Sequence, residues 1–326
     1  MTQDELIVEP VARRGREEAM LFLVGAEQPA GSPNVRVEAL ERLIRSRGQG
    51  TPLLWRATRR GRLVASAIVI QSPGRFGMLF HCPETARGLE PEALVAVVRA
   101  AARDALARGA SYVQALPAPA ARGDIAVLAG AGFKRIAELI YMRLALGDLP
   151  AAEAGGDIEA DENVGPLSWQ TCDEVGDAKL AEVISATYEG SLDCPALTGL
   201  RAAKDIIAGH KAATVFRAET WWVLLQGERA GGCILVNDVA SLGVADITYM
   251  GLVPDWRGKG LGRLMLRRAA RAAQQRKMAW MTLAVDARNW YAARLYGQCG
   301  FREVYQRFAY MMLRTDAANS GSVDAL

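Results

Sequence analysis

The stretch that decides the fold lies in the C-terminal half of the chain and reads Arg257-Gly258-Lys259-Gly260-Leu261-Gly262. It follows the apolar run Ile247–Val253 and precedes a helical pattern over Arg263–Lys277. Glycines at every second position let the backbone approach an anion closely, and their N–H groups can donate to phosphate oxygens beside the positive end of the next helix. The sequence therefore predicts a pyrophosphate-binding loop, to which Arg257 and Lys259 add positive charge.

The glycine spacing excludes two common phosphate-binding motifs. A dinucleotide fingerprint needs Gly where Arg263 stands, and a P-loop needs Ser or Thr where Gly260 stands. A glycine-rich turn that only begins a helix stays open as an alternative, because short glycine patterns also arise by chance.

The segments around this loop resemble the GNAT superfamily of N-acetyltransferases. With the preceding run Tyr249–Pro254, the loop is similar to that family's acetyl-CoA-binding motif, Arg/Gln-x-x-Gly-x-Gly/Ala, at every defined position. Leu283–Asn289, Ala293–Tyr296 and Gly300-Phe301 are similar to the second signature, in which an Asn and a Leu-Tyr pair precede Gly-Phe. Within the superfamily, the layout is most similar to that of the mycothiol synthases, which implies an aminothiol sugar or a similar amine as acceptor.

The resemblance implies acetyl-CoA as cosubstrate and no metal. In GNAT folds the strand before the loop and the strand after the long helix splay apart, and the pantetheine arm lies in the gap. The amide of Leu252 or Met250 would polarise the thioester carbonyl there. The implied cofactor-binding residues are Leu252, Val253, Arg257, Gly258, Lys259, Gly260, Leu261, Gly262, Arg263 and Asn289.

Acetyl transfer to an amine needs a base that makes the nitrogen neutral and an acid that protonates the CoA thiolate. The resemblance gives the acid role to Tyr296, for which the alternative is an amphipathic residue at the edge of the core. Asp246 is the candidate base, directly or through water, and its alternative is an ion-pair partner at a strand end. Glu189 and Asp193 are candidate amine-binding residues, or else helix-capping groups.

The order of predicted elements occurs twice along the chain. The distance from Gly88 to Phe133 is 45 positions and that from Gly258 to Phe301 is 43. This repetition predicts an α/β fold of two tandem GNAT-like domains, each a mixed twisted sheet flanked by helices. We expect a degenerate first domain at 1–148, a linker at 149–165, an acetyltransferase domain at 166–314 and a flexible tail at 315–326.

The first copy lacks the glycine loop. Its corresponding stretch, Pro83–Pro91, contains one glycine, two glutamates and a second proline that removes a donor. Because acidic groups repel a pyrophosphate, we expect weak or no CoA binding there.

Composition favours a cytoplasmic globular protein. The formal net charge of +3 is too small to indicate a nucleic-acid partner, and the five cysteines show neither a disulfide pattern nor zinc-ligand spacing. No apolar run is long enough to span a membrane. We expect a small-molecule amine as partner, no nucleic acid or membrane, and a monomer or homodimer.

Taken together, the sequence predicts an acetyl-CoA-dependent N-acetyltransferase in which a primary amine attacks directly in a ternary complex, with the active site in the C-terminal domain. Two alternatives stay open: a non-catalytic CoA-sensing or interaction module, and a peptide or protein N-acetyltransferase.

Overall fold

The computed structural model describes residues 5–25, 35–47, 52–84, 86–147 and 165–314. They belong to two compact units, one of Met1–Ile136 with Phe308–Leu326 and the other of Ala137–Arg307. The predicted tail lies outside the described residues, as does the predicted linker apart from Gly165. Among the described residues, no helix has both the length and the apolar character needed to cross a membrane.

The first unit is built around strands that are ordered β1-β2-β3-β4-β5, followed by the end of the last strand of the chain. All neighbours are antiparallel except the parallel pair β4 and β5. The elements that precede the second unit are β1 Leu6–Pro10, α1 Arg16–Leu23, α2 Val35–Arg47, β2 Leu53–Arg59, β3 Arg62–Ser72, β4 Phe76–His81, α3 Pro91–Ala107, β5 Tyr112–Ala115, α4 Arg122–Ala131 and β6 Lys134–Ala145.

The second unit has the strand order β6-β11-β10-β9-β8-β7, in which only β10 and β11 are parallel. Its elements after β6 are β7 Leu167–Thr171, α5 Cys172–Thr187, α6 Ala203–Lys211, β8 Trp221–Gln226, β9 Arg229–Val239, β10 Val244–Leu252, α7 Leu261–Gln275, β11 Trp280–Asp286, α8 Trp290–Gln298 and β12 Arg302–Leu313.

The predicted repetition is present in the structure. An antiparallel strand pair, a helix, a parallel strand, a second helix and a last strand follow one another as β3-β4-α3-β5-α4-β6 and again as β9-β10-α7-β11-α8-β12. The strands of each unit have both parallel and antiparallel neighbours and carry helices on both faces, which confirms the predicted α/β class.

Alternation along the strands divides the core of the second unit into two layers. Leu224 and Val236 pack with α7 on one face, and Val223 and Leu235 pack with α5 and α6 on the other. Because successive strand residues point to opposite faces, this continuous apolar sequence buries both sides of the sheet.

The compact units differ from the predicted domains at the last strand of each repeat. β6, which we assigned to the first domain, pairs with β11 from Leu139 to Ala145 and places Met142 and Leu144 in the core of the second unit. The end of β12 pairs with β5, and its Met312 is buried in the core of the first unit. The boundaries shift because strand pairing, not the position of the predicted linker, determines where these apolar residues are buried.

In the first copy, amides of the stretch Pro83–Pro91 donate hydrogen bonds to carbonyl groups of the protein. The N–H of Glu90 donates to the carbonyl oxygen of Val64, and the N–H of Leu89 donates to that of Ala86. The carboxylate of Glu90 accepts a 2.7 Å hydrogen bond from Arg59 Nε at the start of α3. The amides of Leu89 and Glu90 are therefore paired within the protein.

We expect Gly231→Ala to destabilise the second unit. A Cβ at this position in β9 would lie 1.9 Å from Cδ2 of Trp256, whose indole is buried. Such overpacking costs about 1–3 kcal/mol, which urea denaturation would measure. As the control, Gly297→Ala in α8 meets nothing within 4 Å and should raise the free energy of unfolding by about 0.5–1 kcal/mol. Equal stabilities of the two variants would contradict the prediction.

Candidate active site

The site begins where β10 and β11 part. Their parallel pairing runs from Val244↔Trp280 to Ile247↔Leu283 and then ends, although β10 continues to Leu252 and β11 to Asp286. The β9–β10 register shifts between Ile247 and Tyr249, and a bulge of this kind bends a strand. The splay that the family resemblance implied is therefore present.

The splay leaves backbone groups of β10 without a strand partner. The N–H of Val253 donates to Gly231 O, 2.9 Å away, so this residue faces β9. Because backbone direction alternates along an antiparallel pair, the N–H groups of Met250 and Leu252 point to the opposite side, where β11 no longer pairs. These are the two amides predicted as oxyanion donors.

The glycine loop presents a run of uncommitted amides. Gly258 and Gly260 have φ values of 76° and 75°, and a Cβ at either would meet nothing within 4 Å, so the backbone conformation is what favours glycine. Over the described ranges, the backbone N–H groups from Gly258 to Gly262 donate to no protein acceptor. Consecutive free donors at the start of α7 fit a phosphate anion.

Arg257 holds the loop in place. Its Nε donates to Leu252 O at 3.0 Å, and its Nη2 donates to the carbonyl oxygens of Thr187 and Glu189 at 3.0 and 2.6 Å. The sequence predicted that this guanidinium adds charge at the phosphates, whereas the structure places it on carbonyls at the end of α5. The guanidinium of Arg257 therefore pairs with carbonyl groups at the C-terminal end of α5 and links the glycine loop to that helix.

The other predicted loop residues differ in exposure. Lys259 is exposed, and exposed Arg263 donates to Gln298 Oε1 at 3.2 Å. Asn289 caps α8, because its Oδ1 accepts a 3.3 Å hydrogen bond from the N–H of Ala292.

Tyr296 lies on α8 with 7% of its surface exposed. Its hydroxyl has no hydrogen-bond partner in the described part of the chain. Burial raises the pKa of this phenol, and the nearby charge of Asp193 raises it further. The group therefore stays protonated at neutral pH, as a proton donor must.

Asp193 lies near the open end of the splay. Its Oδ1 accepts a 2.8 Å hydrogen bond from the backbone N–H of Asp286, the last residue of β11. The side chain is exposed, yet burial is the main cause that raises the pKa of its carboxyl.

Asp246 and Glu189, the other predicted carboxylates, are placed differently. Asp246 stands on the paired part of β10, where its Oδ1 accepts a 2.7 Å hydrogen bond from Thr282 Oγ1. No contact in the described residues joins Asp246 to Tyr296 or Asp193. The side chain of Glu189 is exposed, and its carbonyl binds Arg257.

Asp286 and Arg288 are site residues that the sequence analysis did not assign. Asp286 is fully buried and accepts a 2.6 Å ion-pair contact from Arg288 Nη2. Burial alone would raise the pKa of Asp286, but the hydrogen bonds from Arg288 lower it overall. Both residues lie within the second signature, in Leu283–Asn289. A charged residue at the end of a strand was the sequence signal that could have identified them.

The described residues contain no group of three or more His, Cys, Asp or Glu that could hold a metal ion.

Comparison with known families gives a match over residues 217–303 to the acetyltransferase (GNAT) domain.

Residues 217–303 form a GNAT acetyltransferase domain. The matched residues include the splay, the glycine loop and Tyr296, and they exclude Glu189 and Asp193.

Two relatives are named mycothiol acetyltransferase. The protein from Nocardiopsis dassonvillei is 24% identical over 346 aligned residues, covering 96% of this chain and 97% of the relative. The protein from Thermobifida fusca is 38% identical over 58 residues, which are 18% of each chain. Together with the family match, the names of these relatives support an N-acetyltransferase.

Solved structures share the fold over nearly the whole chain. A GCN5-related N-acetyltransferase from Sphaerobacter thermophilus has a TM-score of 0.60 at 16% identity, covering 96% of both chains. A tandem GNAT protein from the clavulanic acid biosynthesis pathway has a TM-score of 0.52 at 16% identity, covering 95% of this chain and 99% of that one.

His210 provides a pH-dependent contribution to stability beside the site. Its ring lies 5.6 Å from that of Tyr249, and burial lowers its pKa to about 4, with a smaller effect from Arg201. The unfolded chain protonates this imidazole below about pH 6.5, whereas the folded protein keeps it neutral. The contribution is therefore complete above that pH and is lost as the pH falls toward 4.

We expect the free energy of unfolding of the GNAT protein to decrease between pH 6.5 and 4, and His210→Gln to remove up to about 3 kcal/mol of that decrease. Denaturant titrations across this range would measure both slopes. Identical slopes in the two proteins would contradict a neutral buried His210.

Proposed function

We propose that the GNAT protein transfers the acetyl group of acetyl-CoA to a primary amine, which attacks directly in a ternary complex. In this proposal the active site lies in the C-terminal domain, within the unit formed by Ala137–Arg307. The observation that carries this proposal is the run of free amides from Gly258 to Gly262 next to the unpaired edge of β10.

The chain offers each group that a thioester cosubstrate needs. The loop amides would bind its pyrophosphate, with Lys259 adding charge from an exposed position. The outward-facing amides of Met250 and Leu252 would bind the pantetheine arm or the thioester oxygen. Asn289 and Arg263 stand on the adjoining helix starts, where they order the surface beside the loop.

The chemistry follows from the carboxylates and the phenol. An amine enters as an ammonium group, which the acidic residues Glu189 and Asp193 attract. One of these carboxylates, or Asp246, takes a proton so that the nitrogen can attack the thioester carbonyl carbon. The C–S bond then breaks, and Tyr296 donates its proton to the departing thiolate.

The acceptor proposed here is a small amine. The name of the relatives, mycothiol acetyltransferase, supports an aminothiol sugar or a similar amine over a peptide. We propose a cytoplasmic enzyme, monomeric or homodimeric, without a nucleic-acid or membrane partner. A screen of amino sugars, alkylamines and peptides that follows thiol release would separate the two acceptor classes.

We expect Gly260→Glu to weaken acetyl-CoA binding by at least about 100-fold, because the variant adds negative charge at the phosphates and disfavours the positive φ. Calorimetric titration would measure affinity and stoichiometry, with one site per chain expected in the unmodified protein.

Gly88→Glu is the matched control for this loop variant. Gly88 has a φ of 81°, its Cβ would meet nothing within 4 Å, and it lies in the corresponding stretch of the first copy. We expect it to leave acetyl-CoA affinity unchanged. Full acetyl-CoA affinity in Gly260→Glu, or a loss of that affinity in Gly88→Glu, would contradict a pyrophosphate-binding loop that is present in the second copy alone.

Tyr296→Phe should lower kcat by about 10²–10⁴-fold, the usual contribution of a positioned acid, and leave acetyl-CoA affinity unchanged. Steady-state kinetics and calorimetry on the same preparation would test this. Tyr291→Phe, on the same helix with 64% exposure, is the control and should retain activity. Unchanged kcat in Tyr296→Phe would remove the acid role from this residue.

A further inference from the structure

Asp193 is held at the end of β11 by contacts over a long sequence distance. The backbone N–H of Asp286 donates to its Oδ1 at 2.8 Å, and the N–H of Cys194 donates back to Asp286 Oδ2 at 3.1 Å. Ser191 Oγ accepts a 3.1 Å hydrogen bond from the N–H of Asp193. The second carboxyl oxygen of Asp193 has no protein donor among the described residues.

The backbone beside Asp193 adopts an unfavourable conformation. Cys194 has a φ of 44°, in the left-handed region that non-glycine residues rarely occupy. Such a conformation persists where the surroundings determine it, and here the hydrogen bond to Asp286 does so. The unfavourable backbone conformation of Cys194 is therefore maintained by the same contacts that fix the position of the Asp193 carboxylate.

The buried side chain of Asp286 is the centre of this arrangement. It accepts hydrogen bonds from both the backbone N–H and the guanidinium of Arg288, while its own carbonyl accepts the N–H of Asn289 at 2.8 Å. Asp286 thus joins the segment of Asp193 to the end of β11 and to the start of α8, the helix that carries Tyr296.

Charged and titratable groups from three sides face Asp193. Asp286 and Arg288 lie on the β11 side, Tyr249 on β10 and Tyr296 on α8. Burial is the main cause that raises the pKa of both tyrosines, and the charge of Asp193 raises each pKa further. Its own pKa is raised by burial and by Asp286, against the opposing effects of the Asp286 N–H and Arg288.

Asp246 is placed differently from Asp193. It stands before the bulge, on the part of β10 that is still paired with β11, and Thr282 occupies one of its oxygens. The hydrogen-bond partners and positions of Asp193 and Asp246 therefore distinguish the two carboxylates, which the sequence did not.

We propose that Asp193 is the group that accepts the proton of the attacking amine, and that Asp286 with Arg288 positions it. The inference rests on the proposed function. Asp193 takes one proton from the ammonium group, and the nitrogen lone pair forms the C–N bond as the C–S electron pair leaves with sulfur. Tyr296 protonates the thiolate, the second nitrogen proton returns to the tyrosinate through solvent, and Asp193 releases its proton to water.

The test is the pH profile of kcat/KM for Asp193→Asn, measured by thiol release with the most active alkylamine of the screen, whose pKa is about 10. In the unmodified protein Asp193 deprotonates the bound ammonium, so kcat/KM should be independent of pH around neutrality. In Asp193→Asn the amine must arrive neutral. We expect a loss of about 10²–10⁴-fold at neutral pH and a rise with pH up to the pKa of the amine.

Two further carboxylate variants complete the comparison. Asp177→Asn removes an exposed carboxylate on α5 that pairs with Lys211, and it should reproduce the unmodified profile. Asp246→Asn should keep the pH-independent region. A retained plateau in Asp193→Asn, or its loss in Asp246→Asn, would overturn the assignment.

Asp286→Asn tests the positioning role. Removing this negative charge should lower the pKa of Asp193 and move the acidic limb of the profile to lower pH, which a purely structural role would not do. An unmoved limb would overturn this role.

Acetyl-CoA affinity and thermal unfolding, measured on every variant, identify variants that fail to fold. Absence of turnover in the unmodified protein would overturn the proposed function and this assignment together, whereas turnover with a plateau in Asp193→Asn would overturn the assignment alone.

Discussion

The early end of the β10–β11 pairing is the constraint on which the site depends. Two parallel strands that part leave N–H and carbonyl groups without partners, and a folded chain seldom leaves such groups unpaired away from water. Here the bulge after Ile247 and the turn into the glycine loop maintain the opening. An extended ligand with its own amides would complete the interrupted ladder, which explains why a single local irregularity can create a binding site in an otherwise regular sheet.

Long-range contacts keep this opening in shape from both sides. Arg257 ties the loop to the carbonyl end of α5, while Asp286 ties the segment after α5 to β11 and α8. The same stretch of chain, from Thr187 to Cys194, is therefore attached to Arg257 of the glycine loop at one end and to Asp286 of β11 at the other.

The sequence predicted what depends on local pattern. The glycine loop, the repeated order of elements and the helices on both faces follow from spacing and periodicity over a few tens of residues. The hydrogen bond between Asp193 and Asp286 joins residues 93 positions apart, and no periodicity indicates it. Likewise, the apolar pattern of β6 predicted a strand correctly, but only pairing with β11 shows in which core its side chains are buried.

The placement of β6 and β12 determines how the chain can be divided. A fragment cut at the linker would begin after β6 and would expose the edge of β11 together with the apolar surface that Met142 and Leu144 cover. A first-repeat fragment would lack the strand that covers β5. Neither repeat is a transferable module, so shuffling or fusing one copy of this sequence requires borrowing a strand from the other.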